Sequence, residues 1–171
     1  MSGSKTFGKS LFNVCSLIIG FMCVLMYIIT LTVSGSPYDM IHKLDLNKMI
    51  PPMWVWRIFS IVWFFLSGAA AGLIVYEGAC HRIGADGKLC AYRGGTYFIS
   101  GFFLSIVHYP LFFCVERLFI AFIVSLLAII CTVICCVIWS KISPLASVVL
   151  SGYAFWLLYV VFISACLMIV N

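Results

Sequence analysis

The chain has 171 residues, 65% of them hydrophobic and 9% charged, with a formal net charge of +5. Soluble domains carry about 25% charged residues, so this composition excludes a soluble fold and, with it, a nucleic-acid-binding role for the positive charge. The ten basic and five acidic residues all fall outside, or at the edges of, five long apolar blocks.

The first block covers residues 10–33. Lys5 and Lys9 precede it in the manner of a signal sequence. The run exceeds a typical signal core and no small-residue cleavage site follows it, so it reads as a retained first helix. Ser34-Gly35-Ser36-Pro37 breaks that helix. The connector over 34–53 carries Tyr38, Asp39, His42, Lys43, Asp45 and Lys48, and it ends at Pro51-Pro52. At about 20 residues it is long for a connection in a compact bundle, and loops of that length often act as lids.

The second block, 54–76, opens with Trp54 and Trp56, where an aromatic belt meets the membrane interface. Trp63 follows about two turns on. Gly68 to Gly72 form a run of small residues that lets a neighbouring helix approach closely. Arg57, one turn in, reads either as a side chain snorkelling to the interface or as a partner for a ligand's anionic group. Cys80 and Cys90 flank a polar loop with an Asp86-Gly87 turn signal, and would pair if that loop faced an oxidising compartment. The other seven cysteines lie within or at the ends of the blocks and read as packing residues.

In the third block, 95–114, His108 stands just before Tyr109-Pro110. The proline should bend or end the helix. His108 is then either bonded to a freed carbonyl or a ligand-contacting, even haem-ligating, imidazole. The fourth block, 118–140, follows so closely that the two should form a tight antiparallel hairpin around Glu116-Arg117. It ends at Trp139. Ser143 suits an N-cap and Pro144 the first turn of the fifth block, 144–170, which holds Trp156 near its middle.

Each block is about 20 residues or longer, enough for a helix to cross about 30 Å of hydrocarbon. Lipid offers the backbone no outside partner, which makes helices the default. The expected fold is an all-α integral membrane protein, a single domain of five transmembrane helices over 1–171 with its termini on opposite sides. Six of the ten basic residues would share the side of the amino terminus, a bias toward its being cytosolic. No internal repeat is visible, which argues against a transporter of two related halves. There is no phosphate loop, paired carboxylate or metal motif, so neither catalytic nor metal-binding residues are expected, and an enzyme of ordinary type is disfavoured. Two other readings stay open. One is a sterol- or lipid-modifying enzyme using Glu77 and Glu116 at the span edges. The other is a structural protein oligomerising through Gly68–Gly72.

The order of these features resembles the translocator protein family (TspO/MBR), also called tryptophan-rich sensory or peripheral benzodiazepine-receptor proteins. The carrying segments are Tyr38-Asp39, Pro51-Pro52-Met53-Trp54-Val55, Gly68 through Val75, Pro110-Leu111-Phe112-Phe113, Trp139 through Ala146, and Tyr153-Ala154-Phe155-Trp156. The chain also departs from the family. Tryptophans of helices two and three are replaced at Ser60, Ile106 and His108, and one of helix four at Ile120. The Tyr and Arg of the cholesterol-recognition stretch fall on Ala165 and Ile169. The resemblance implies a pocket inside the bundle for flat apolar ligands, with roles in tetrapyrrole or lipid handling, sterol movement or stress signalling. By position its lining is Trp54, Trp56, His108, Ile120, Ile123, Leu127, Trp156, Val160 and Ile163. The lid is Tyr38, Asp39, Pro51 and Pro52. No cofactor is required. Bound porphyrin or haem, aromatic drugs and sterol are the implied ligands, the lipid bilayer the surroundings, and a homodimer the implied assembly. In animals the family pattern implies the mitochondrial outer membrane.

Overall fold

The chain forms helices where its apolar blocks lie, because hydrocarbon leaves each peptide group only its own helix to bond to. In the computed structural model, residues 13–34, 52–79, 84–113 and 117–170 are described. They contain five helices and no strand: α1 (Val14–Val33), α2 (Met53–Ala79), α3 (Ala85–Phe113), α4 (Leu118–Trp139) and α5 (Pro144–Val170). Four of them, α1, α2, α4 and α5, are long and apolar enough to cross a membrane, so the chain is an integral membrane protein. The fifth, α3, falls outside that group. Its first third carries Asp86, Lys88 and Arg93, and Ser100, Ser105, His108 and Pro110 dilute the rest.

The helix ends follow local chemistry. Asn13 caps α1, its Oδ1 accepting from the Ser16 amide at 2.8 Å. The Pro52 carbonyl accepts from Val55 and Trp56 at the mouth of α2. Ser143 stands before Pro144, with the Ala146 amide 3.5 Å from its hydroxyl. Two expectations change in α3. Asp86-Gly87 is helical rather than a turn, and α3 starts at Ala85, well before residue 95. An acidic side chain in a first turn suits the positive end of the helix dipole, which favours continuing the helix outward past the apolar block. Pro110 does not end the helix, which runs on to Phe113. A proline so near the end deprives only the last turn of a donor.

In space the helices follow the order α1, α2, α5, α4, α3, with α3 returning to α1 and α2. The α1–α2 contact is backbone on backbone. A Cβ placed on Gly72 would stand 2.5 Å from the Ser16 Cα, and one on Gly68 would stand 2.8 Å from the Ile19 carbonyl. The small-residue face of α2 is thus filled by α1. A homodimer through Gly68–Gly72, the basis of the oligomerising reading, has no open surface there. Further across, Phe64 of α2 meets Tyr27 of α1, Phe102 and Tyr109 of α3, and Tyr153 of α5. The Ser60 hydroxyl lies 3.1 Å from that of Tyr109, tying α2 to α3.

Gly72→Val should therefore separate α1 from α2. The backbone cannot yield as a side-chain tip can, so a loss of about 3 kcal/mol or more is expected. A clear fall in the thermal midpoint of the detergent-solubilised protein checks it, and an unchanged midpoint would contradict the contact.

Candidate functional site

Where α2 begins, α3 ends, α4 begins and α5 enters its second half, a buried cluster forms from Trp56, Phe112, Ala121, Val160 and Ile163. Trp156 and Tyr159 pack against it. The Trp56 and Trp156 rings are 5.1 Å apart at 60°, and Tyr159 lies 5.7 Å from the first and 5.6 Å from the second. Phe59 stacks on the Trp156 face at 5.9 Å. Four aromatic rings thus meet within a few ångströms, at separations where each pair contributes about 1 kcal/mol beyond its buried area. The Trp56 indole nitrogen is buried with no acceptor among the described residues. That is an unusual cost for a donor in an apolar setting.

His108 is buried beside this cluster, 5.3 Å from the Phe112 ring. Its Nδ1 lies 3.1 Å from the Ala121 carbonyl of α4. A carbonyl only accepts, so Nδ1 carries the proton and Nε2 holds the ring's lone pair. Ser105, His108, Ser125, Tyr153 and Trp156 share an internal void of about 10 Å³. That is about the room of one water.

On the other side of Trp156 lies an open groove of about 400 Å³ between α2 and α5. Phe59, Trp63, Phe155 and Tyr159 wall it, with Gly152 beneath the Trp63 ring. Trp156 lines both spaces. One indole therefore separates a drug-sized aromatic groove from the polar groups at the bundle centre.

The sequence pattern of the TspO/MBR family matches residues 12–169, nearly the whole chain. The protein belongs to the TspO/MBR family. Comparison with curated proteins and with solved structures gives no match.

In this TspO/MBR protein the residues expected at the pocket divide into two groups. Trp56, His108, Trp156, Val160 and Ile163 come together around the cluster and the void. Trp54, Ile120, Ile123 and Leu127 do not. They are 66%, 48%, 39% and 46% exposed. On α4 the inward face is instead Ala121, Ser125, Ala128 and Thr132. Small residues there allow close helix approach, while the branched side chains turn outward to lipid. Arg57 is exposed. Of the lid residues, Pro52 is exposed at the start of α2, whereas Tyr38, Asp39 and Pro51 lie outside the described residues, as does Cys80 of the Cys80–Cys90 pair. Phe59 and Tyr159 were not singled out from sequence. Tyr159 is three residues from Trp156, and Phe59 is three from Trp56, spacings that place each pair on one helix face. Among the described residues, no three His, Cys, Asp or Glu side chains gather as a metal site.

The tautomer of His108 is open to direct observation. In ¹⁵N spectra of the labelled protein in bilayers, Nδ1 should appear protonated and Nε2 bare. The reverse pattern would mean that the Ala121 carbonyl is not its partner.

Proposed function

We propose that this TspO/MBR membrane protein binds flat apolar ligands of the porphyrin, haem or aromatic-drug kind against Trp156, in the service of tetrapyrrole or lipid handling or stress signalling. The observation that carries the reading is the position of Trp156, with the aromatic groove on one side and the polar void on the other. The groove has the volume of an ordinary ligand site, and its walls are rings that stack on a planar π-system. A ring entering it lies beside Phe59, Trp63 and Tyr159. Rotation of Trp156 would join groove and void and open His108, whose Nε2 lone pair would then be available as a hydrogen-bond acceptor or as a nitrogen donor to a haem iron. Arg57, next in sequence to Trp56, supplies a cation for the acidic substituents such ligands carry. Sterol recognition through the carboxyl-terminal stretch is not part of this reading, since Ala165 and Ile169 provide neither a ring nor a charge.

Protoporphyrin added to the purified protein should quench tryptophan fluorescence. Trp156→Phe keeps a ring but loses stacking area, and is expected to remove most of the quenching and weaken binding about three- to tenfold. Unchanged quenching and affinity would move the site elsewhere.

The same reading treats α3 as a fifth crossing, so that the two ends of the chain lie on opposite sides. In an animal cell the membrane would be the mitochondrial outer membrane. Epitope tags on the two ends, probed with protease in sealed vesicles, should be cut from opposite faces. Cleavage of both from one face would mean that α3 does not cross.

A further inference from the structure

A second groove, of about 470 Å³, runs between α2 and α3 on the other half of α2 and shares no residue with the one at Trp156. From α3 it takes Lys88, Ala91, Tyr92, Gly95, Phe98 and Ile99, a single stripe at helical spacing. Ile74 and Val75 of α2 face them, and Trp139 of α4 completes the lining. We propose that this groove holds an anionic phospholipid of one leaflet, with its phosphate at Lys88 and an acyl chain along the α3 stripe.

Three observations support this occupant. The first is charge. Among the described residues, Lys88 is the charged residue lining the groove, at the end where α2 and α4 finish and α3 and α5 start. Arg93 and Lys141 stand at that same end. Glu77 and Asp86 do too, but neither lines the groove. A basic position beside an apolar slot between membrane helices is the usual chemistry of a phospholipid headgroup site. The second is length. From Lys88 to Ile99 the helix rises about 16 Å, roughly half of a 30 Å hydrocarbon core and so the depth of one leaflet. Tyr92 sits one turn below Lys88, in the interfacial position aromatic side chains favour.

The third is Gly95. A glycine within a helix weakens it and needs a reason. Its neighbour Gly94 has one, because a Cβ there would run into the Trp139 indole. A Cβ on Gly95 would meet nothing within 4 Å. No contact among the described residues requires glycine at this position, and what its absent side chain leaves is the open floor of the groove.

The test is native mass spectrometry of the full chain after equilibration with phosphatidylglycerol or phosphatidylcholine of identical acyl chains. Phosphatidylglycerol should be retained about fivefold more, as expected for one lysine at the membrane surface. Lys88→Gln should abolish that preference. Gly95→Leu should empty the groove of either lipid without lowering the thermal midpoint, because it displaces no neighbour. Should that variant fail to fold, Ile99→Trp, at a position already 67% exposed, obstructs the same slot. Equal retention of the two lipids, full retention of phosphatidylglycerol by the obstructed variant, or its displacement by oleate at equal concentration would each overturn the proposal. Porphyrin quenching should be unaltered in Gly95→Leu, so failure here leaves the site at Trp156 untouched.

Discussion

The backbones of α1 and α2 touch, and the rest of the bundle is arranged around that contact. In hydrocarbon, apolar side chains gain little by meeting one another, since lipid tails are as apolar as they are. Dispersion remains, and it falls off so steeply that helices must come close to benefit. Gly68 and Gly72 allow this, with Ser16, Ile19 and Gly20 filling the space a Cβ would need. Held on that side, α2 becomes the central post. Phe64 reaches two further helices, α3 and α5, and Ser60 meets Tyr109. The same post carries Trp56, Phe59 and Trp63 to the site, so the geometry of those rings is set partly by glycines on its opposite face.

The side-chain hydrogen bonds inside the bundle divide into two kinds. Most hydroxyls bond back to their own helix: Ser67 to the Phe64 carbonyl, Ser105 to Gly101, Thr132 to Ala128 and Ser164 to Val160. These satisfy the side chain and add nothing between helices. A few cross. His108 reaches Ala121, Cys135 donates to the Gly94 carbonyl and Ser147 donates to the Cys136 carbonyl. Such bonds between membrane helices average only about 0.6 kcal/mol, but each fixes a rotation that apolar packing leaves free. They pin α3 and α5 against α4 and so orient the walls of both grooves.

The helices were legible because hydrocarbon thickness imposes a length, and α1, α2, α4 and α5 lie within a few residues of their apolar blocks. The start of α3 was not, since Asp86-Gly87 carries a local turn signal that the helix overrides in its polar first turns. In the buried cluster, Trp56, Trp156, Val160 and Ile163 stand at positions that the family resemblance implies for the pocket. Ile120, Ile123 and Leu127 could not be oriented from sequence in the same way. In a soluble helix an apolar stripe marks the buried face, but a membrane helix is apolar all round and its buried face is the stripe of smallest residues. Ala121, Ser125, Ala128 and Thr132 recur at that spacing. The phospholipid groove was invisible for another reason: Gly94-Gly95 reads as one feature in sequence, and only their different surroundings separate a packing glycine from an empty one.

The groove beside Trp156 opens sideways, between Trp63 in the middle of α2 and Phe155 in the middle of α5, at a depth where the surrounding medium is acyl chain. Whatever settles there is drawn from solution in the bilayer. An affinity measured against total ligand in water is therefore a product of two equilibria, partition into lipid and docking from lipid. Compounds of identical fit would rank by their solubility in the membrane. Adding more lipid at a fixed amount of protein would dilute the ligand in two dimensions and weaken its apparent grip, with no change at any side chain.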